Sequence, residues 1–151
     1  MIERAYDLWT VRDAPIGITT NGSVTRAGLA VMGRGCALEA ARRIPTIRRE
    51  LGARLRETGN HVYWFPAHEI FTFPVKHRCN ERADLVLIRQ SARELATLAN
   101  ALGWTRVILP RPGCGNGGLT WDGVRPILAD LLDDRFVIVT NMNASASYRT
   151  P

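Results

Sequence analysis

Lysine is almost missing from this chain. Of 20 basic residues among 151, 19 are arginine and Lys76 alone is lysine. Arginine serves wherever a positive charge or a solubilising group is enough. The kept lysine therefore stands out, because lysine can become a neutral amine nucleophile and arginine cannot. Cysteine is nearly as sparse. Cys36, Cys79 and Cys114 are odd in number and far apart, which fits reduced thiols rather than a disulfide framework. No cysteine pair has zinc-ligand spacing, and His61, His68 and His77 show no spacing suited to a metal, so no metal site is expected. Long apolar runs are lacking too. No window approaches the roughly 18 uncharged apolar residues of a membrane span. The start, Met1 to Asp7, has neither the basic nor the apolar region of a signal peptide. A cytoplasmic protein with no membrane role is expected. Without repeat, low-complexity tract or linker, residues 1–151 read as a single domain with a full core.

What is present is an alternation of strand and helix patterns. Tyr6 to Val11 and the β-branched run Ile16 to Thr20 read as strands, the second ending at the turn pair Asn21-Gly22. Ser23 to Leu29 reads as a polar loop. Val31 to Ala37 carries glycines and opens a helix through Arg43, Pro45 breaks it, and a second helix runs from Thr46 to Glu57. His61 to Phe65 and Glu69 to Val75 look like strands, with Lys76 to Glu81 the loop that leaves them. From Asp84 to Leu102 apolar residues recur every three or four positions, the mark of an amphipathic helix. Arg106 to Leu109 and Arg135 to Thr140 are two more strands, separated by a helix from Thr120 to Leu132, and an Asn- and Ser-rich tail follows. Such alternation predicts an α/β fold: a largely parallel sheet with helices on both faces. The loops after Thr20 and Leu109, and Lys76 itself, would then share the carboxyl edge of the sheet, where ligands bind in open α/β folds.

The formal net charge of +6 favours acidic partners, nucleic acid included. The two early helices carry Arg42, Arg43, Arg48, Arg49, Arg54 and Arg56. These form either a solvated face balanced by Glu39, Glu50 and Glu57 or a path for a phosphate backbone. No stacking aromatics interleave with them, so sequence-specific readout is not indicated.

One stretch concentrates chemical purpose. Val107 to Asp122 reads as a buried strand, a loop with four glycines in the six residues from Gly113 to Gly118, and a helix start. Glycines that take positive φ can fold the backbone into a nest whose N–H groups point inward, and the following helix adds the positive end of its dipole. The natural guest is an anion such as phosphate. The formal G-x-G-x-x-G match is not the dinucleotide fingerprint, since it falls late in the chain and the next strand ends in Thr140-Asn141 without an acid. No P-loop lysine or G-x-S-x-G elbow is present. A phosphate or diphosphate cradle of another kind remains.

Particular stretches carry a resemblance to a known family. Asp7-Leu8 resembles a Gly-Asp-Ile/Leu element, with Tyr6 in the glycine's place. Ile16-Gly-Ile-Thr-Thr-Asn21 resembles a strand ending in a ribose-contacting Asn, and Val31-Met-Gly-Arg-Gly-Cys-Ala-Leu38 a Val-Met-Gly-x-Gly-Ile-Ala-Leu loop. Phe73-Pro-Val-Lys76 resembles Phe-Pro-Thr-Lys, and Pro112-Gly-Cys-Gly-Asn-Gly-Gly-Leu-Thr-Trp121 resembles Leu-Gly-Cys-Gly-Asn-Gly-Gly-Leu-Asp-Trp. Together they resemble the macro domains, three-layer α/β/α modules with a mixed, largely parallel central sheet that bind ADP-ribose. Within them the match is to the branch of the DarG antitoxin macrodomain and the terminal ADP-ribose protein glycohydrolases.

The resemblance implies a catalytic Lys76. It implies substrate binding by Asp7, Leu8 and Asn21, by Met32, Gly33, Arg34, Gly35 and Cys36, and by Pro112, Gly113, Cys114, Gly115, Asn116, Gly117, Gly118 and Leu119. ADP-ribose is the implied ligand or product, with no other cofactor. Gly117 stands where the protein-directed glycohydrolases place an assisting Asp, which favours the DarG pattern. Ser23 to Leu29 is longer than the family's usual connection. The implied function is hydrolysis of ADP-ribose from a modified macromolecule, DNA ahead of protein, by a monomer. A non-catalytic ADP-ribose reader, a hydrolase of small ADP-ribose derivatives and a nucleic-acid binder without ADP-ribose chemistry are the alternatives. Cys114 is expected as a packed residue and His77 as an exposed one.

Overall fold

Apolar runs bounded by turns become six strands. In the computed structural model, which describes residues 1–140, these are β1 (Ile2–Ala5), β2 (Ile16–Asn21), β3 (Trp64–Phe65), β4 (Ile70–Lys76), β5 (Val107–Pro110) and β6 (Phe136–Thr140). The helices are α1 (Gly35–Arg43), α2 (Ile47–Thr58), α3 (Leu85–Leu102) and α4 (Trp121–Ala129). The sheet order is β1-β6-β5-β2-β4-β3, and every neighbouring pair is parallel except β3 with β4. The polar tail after Thr140 lies outside the described residues.

Alternation along each strand explains why the runs are apolar throughout. Val107 and Leu109 of β5 pack with α3 and α4, while Ile108 between them packs with α1 and α2. Phe136 and Ile138 of β6 face the α3–α4 side, and Val137 and Val139 the other. Both faces of a parallel sheet are covered, so neither can be polar. The result is a three-layer α/β/α fold with a core on each side of the sheet. Phe71 and Phe73 are fully buried on the α3–α4 side, each contributing about 1.5–3 kcal/mol of apolar burial. Gly17 leaves the space that Phe71 fills, since a Cβ there would meet its ring at 2.6 Å.

Three elements differ from the sequence expectation. Tyr6 to Val11 is not a strand. The Asp7 carboxylate accepts from the Trp9 N–H (2.9 Å) and closes a short 3-10 turn over Leu8–Thr10, while Ile2–Ala5 pairs with β6 instead. The strand expected from His61 shrinks to Trp64–Phe65, which a tight turn at Pro66–Glu69 folds back onto β4. The last helix stops at Ala129, and the Leu131 and Leu132 N–H groups both turn onto the Leu128 carbonyl.

The arginines of α1 and α2 also find work that neither expectation named. Arg56 donates to the carbonyls of Thr25 and Arg26, and Arg48 Nε to that of Ala30 (3.0 Å), so α2 clamps the long connection after β2. Arg54 lies over Tyr63 and Phe65, and Arg43 over Trp9. Of the balancing acids, Glu39 accepts from the Trp9 indole and Glu50 pairs with His68.

Candidate functional site

The carboxyl ends of β2, β4, β5 and β6 come to one edge, and there a cleft of about 930 Å³ opens. Its floor is made by Thr20 and Asn21, Val75 and Lys76, Pro110 and Val139. The volume lies within the roughly 300–1,000 Å³ of small-molecule sites.

One wall is the glycine-rich loop. Gly113 (φ 74°) and Gly118 (φ 76°) take the left-handed conformation and turn the chain back on itself. The Leu119 N–H bonds the Gly113 carbonyl at 2.9 Å, and the Gly118 N–H that of Gly115 at 3.2 Å. Packing is closest at Gly117, where a Cβ would lie 2.5 Å from the Gly113 oxygen. Among the described residues, no protein group accepts from the N–H groups of Gly113 to Gly117. Five consecutive donors are therefore left without a protein acceptor there, as an anion nest requires.

The opposite wall is the start of α1. Arg34 is extended and offers no side-chain cap, and the first helical bond runs from the Leu38 N–H to the Arg34 carbonyl. The N–H groups of the first turn and the positive end of the dipole therefore open into the cleft. The helix that follows the nest does not do this. The Thr120 hydroxyl accepts from the Gly123 N–H (3.3 Å) and caps α4, and neither Thr120 nor Trp121 lines the cleft. The dipole comes from α1, across the gap. The two walls nearly touch, the Asn116 amide standing 3.3 Å from where a Cβ on Gly35 would be.

Lys76 ends β4 at the far side of the floor. It lines the cleft and pairs with no carboxylate among the described residues. Asn21 lies opposite it in register. The Asn21 amide donates to the Val31 carbonyl (3.0 Å) and its oxygen accepts from the Ser23 N–H (2.9 Å), which holds the two ends of the β2–α1 connection together. Cys36 sits beneath the α1 start, within hydrogen-bond distance of Thr19. Burial pushes its thiol above the ordinary range, against the downward pull of those bonds.

The cleft gathers most of the sequence-predicted residues. Leu8, Asn21, Met32 to Cys36, Lys76 and Gly113 to Gly118 all line it, except Cys114. The Cys114 thiol turns back to the Pro112 carbonyl (3.4 Å) and packs, with Leu119, into the α3–α4 core. Buried Pro112 is also outside the lining, and Asp7 is engaged in its turn. His77 is exposed and pairs with Asp84 at 2.8 Å. That bond, with help from the Val86 N–H, holds the Asp84 carboxyl below its usual range.

Sequence reasoning missed the segment from Cys79 to Arg82, which also lines the cleft. Arg82 donates to the Gly118 carbonyl (2.7 Å) and the Ala83 N–H to that of Gly117 (3.0 Å), so this segment joins Lys76 to the nest. Its one sequence signal was adjacency to Lys76. Among the described residues no cluster of three metal-binding side chains occurs, and no helix is long and apolar enough to cross a membrane.

Solved structures share this fold. The macrodomain of Mycobacterium tuberculosis DarG superposes with a TM-score of 0.73 at 26% identity, over 91% of this chain and 95% of that one. The macrodomain of Thermus aquaticus DarG gives 0.72 at 23% identity, with 91% and 95% covered. Thermosipho africanus DarTG in complex with ADP-ribose gives 0.77 at 18% identity; 96% of this chain is covered, but only 41% of that one. No protein-family model and no curated protein matches the chain.

Proposed function

We propose that this chain, a macro domain similar to those of DarG, binds ADP-ribose in the cleft and uses Lys76 to release it from a modified macromolecule, DNA ahead of protein. One observation carries the reading. Among the described residues, five consecutive N–H groups of one wall have no protein partner, an uncapped helix start forms the opposite wall, and a lysine without a carboxylate partner ends the floor between them. A diphosphate suits the two walls, because fixed N–H dipoles replace its water. The distal ribose is then directed toward Lys76.

Breaking the bond at the anomeric carbon of that ribose builds positive charge on the sugar. The lone pair of the Lys76 amine attacks this carbon, and the linked group leaves with the bonding electron pair and the proton that the amine gives up. Water then displaces the lysine, giving ADP-ribose and the unmodified macromolecule. Gly117 supports this simpler arrangement, since its close packing leaves no room for the assisting carboxylate of the protein-directed enzymes. The preference for DNA rests on the net charge and on Arg34 and Arg82 in the wall. Three unpaired cysteines support a reducing, cytoplasmic setting, and we take the protein to act as a monomer.

The test is to incubate the chain with ADP-ribosylated DNA and ADP-ribosylated protein in parallel and to detect free ADP-ribose. Release from DNA is expected to be faster. Lys76→Ala and Lys76→Arg are both expected to lose release by about 100-fold or more, the scale of lost covalent or acid–base assistance. Wild-type turnover in Lys76→Arg would remove the nucleophile. Tight binding of ADP-ribose by calorimetry with no release from either substrate would make the protein a reader instead.

A further inference from the structure

The one-to-one register of β4 with β2 breaks just before Lys76. Strands β2 and β4 pair one to one from Ile16↔Ile70 through Thr20↔Pro74, and then Asn21 pairs with Lys76, leaving Val75 as an extra residue. Such a bulge bends the strand that carries it. It also removes backbone groups from the ladder, and these must be bonded elsewhere. Three consecutive carbonyls are caught by three different parts of the chain. The Asp84 N–H donates to Val75 (2.9 Å), the Asn60 side-chain amide to Lys76 (2.9 Å), and the Gly22 N–H to His77 (3.2 Å).

We propose that Asn60 is a positioning residue that sets the aim of Lys76 by holding its carbonyl; this rests on the cleft reading above. Two of the three anchors are backbone groups that almost any sequence supplies. Asn60 is the one side chain among them. It lies outside the cleft lining, so it acts through Lys76 rather than on substrate. Its orientation is dictated, because only the NH₂ end can donate to a carbonyl. The other end bears a cost: Asn60 Oδ1 is buried without a partner among the described residues. A side chain kept only to fill space would avoid that orphan acceptor. Gly22 completes the arrangement, since a Cβ there would sit 3.1 Å from the Asn60 amide nitrogen and 2.6 Å from the His77 oxygen.

The experiment uses the full chain with Asn60→Asp, which keeps the shape but replaces the donor by an acceptor, and with Gly22→Ala, which presses on the same point from β2. ADP-ribose affinity by calorimetry is expected to stay within threefold of wild type, while ADP-ribose release falls at least tenfold. A second measurement needs no turnover. Lys76 is the only lysine, so reductive methylation with a carbon-13 label yields one ε-amine resonance by NMR beside that of the chain's α-amine. Its response to added ADP-ribose is expected to shrink or vanish in Asn60→Asp. Unchanged release and an unchanged resonance overturn the proposal. So does an equal loss of binding and release with a lowered melting temperature, which would make Asn60 a folding residue. If the wild type binds ADP-ribose but releases none, the catalytic reading falls, and the resonance still decides the role of Asn60.

Discussion

Gly115 and Gly117 are two positions apart in the nest and differ in what they tolerate. A Cβ on Gly117 would lie 2.5–2.8 Å from backbone atoms of Gly113, whereas one on Gly115 meets nothing within 4 Å. Blocking the cleft by a large residue at Gly117 would therefore rebuild the loop rather than fill it. Gly115→Glu is expected to abolish ADP-ribose binding in calorimetry with the melting temperature nearly unchanged. Gly117→Ala is expected to cost about 1–3 kcal/mol as an overpacked site, and about 2–4 °C in melting for each kcal/mol at this chain length. The cysteines divide in a similar way. Burial raises the Cys36 and Cys114 thiols, the nearby Arg111 charge partly offsetting this for Cys114, while Cys79 is exposed. Thiolate is the reactive form. Iodoacetamide at pH 8 should reach Cys79 first, and labelling of the other two should grow only as pH rises past the usual thiol value of about 8.5. Peptide mass spectrometry reads the order, and Cys36 modified first would contradict it.

At the scale of elements, α2 and the connection after β2 form one unit. A Cβ on Gly52 would run into the Gly28 carbonyl, and the Ala30 N–H reaches the Arg48 carbonyl at 2.8 Å. With the Arg48 and Arg56 side chains on the same segment, the helix holds a loop that ends at the cleft wall. Gly52→Ala should lower stability by about 1–3 kcal/mol in denaturant or thermal melts, because helix and loop must separate. An unchanged melting temperature would mean that this contact yields freely.

Across the whole molecule, the first strand braces the nest from more than a hundred residues away. Glu3 accepts from Trp121 Nε1 (2.7 Å) and Arg125 Nε (2.9 Å) of α4, and lies 3.6 Å from Arg111 at the other end of the loop. The Arg125 bond, opposed by burial and aided by Trp121, holds the Glu3 carboxyl below its ordinary value. A depressed carboxyl stabilises the fold above its unfolded value of about 4.3 and loses that contribution as pH falls through the folded value. The side chain is 35% exposed, which keeps the contribution below about 1 kcal/mol. Melting temperatures of wild type and Glu3→Gln should differ at pH 7 and converge below pH 4. A constant gap would rule out the charge as its source.

The local features were legible in the chain itself. Burial on two faces writes continuous apolar runs for β2, β4, β5 and β6, and one-sided burial writes the period of α3. The glycine cluster and the lone lysine marked the two ends of the cleft before any pairing was known. Pairing decided the rest. Ile2–Ala5 carries no apolar run and becomes a strand because β6 offers it an edge. The open helix start belongs to α1 because Thr120 caps α4 and Arg34 does not cap α1. The bulge before Lys76 and its bond to Asn60 exist only once β2, β4 and the end of α2 have met. Periodicity and turn chemistry are properties of neighbours in sequence, and so the sequence by itself determined the layers and marked the glycine-rich loop and the lone lysine. Register and hydrogen bonds between distant segments depend on which strands lie side by side, and so the tertiary structure alone decided where those residues point.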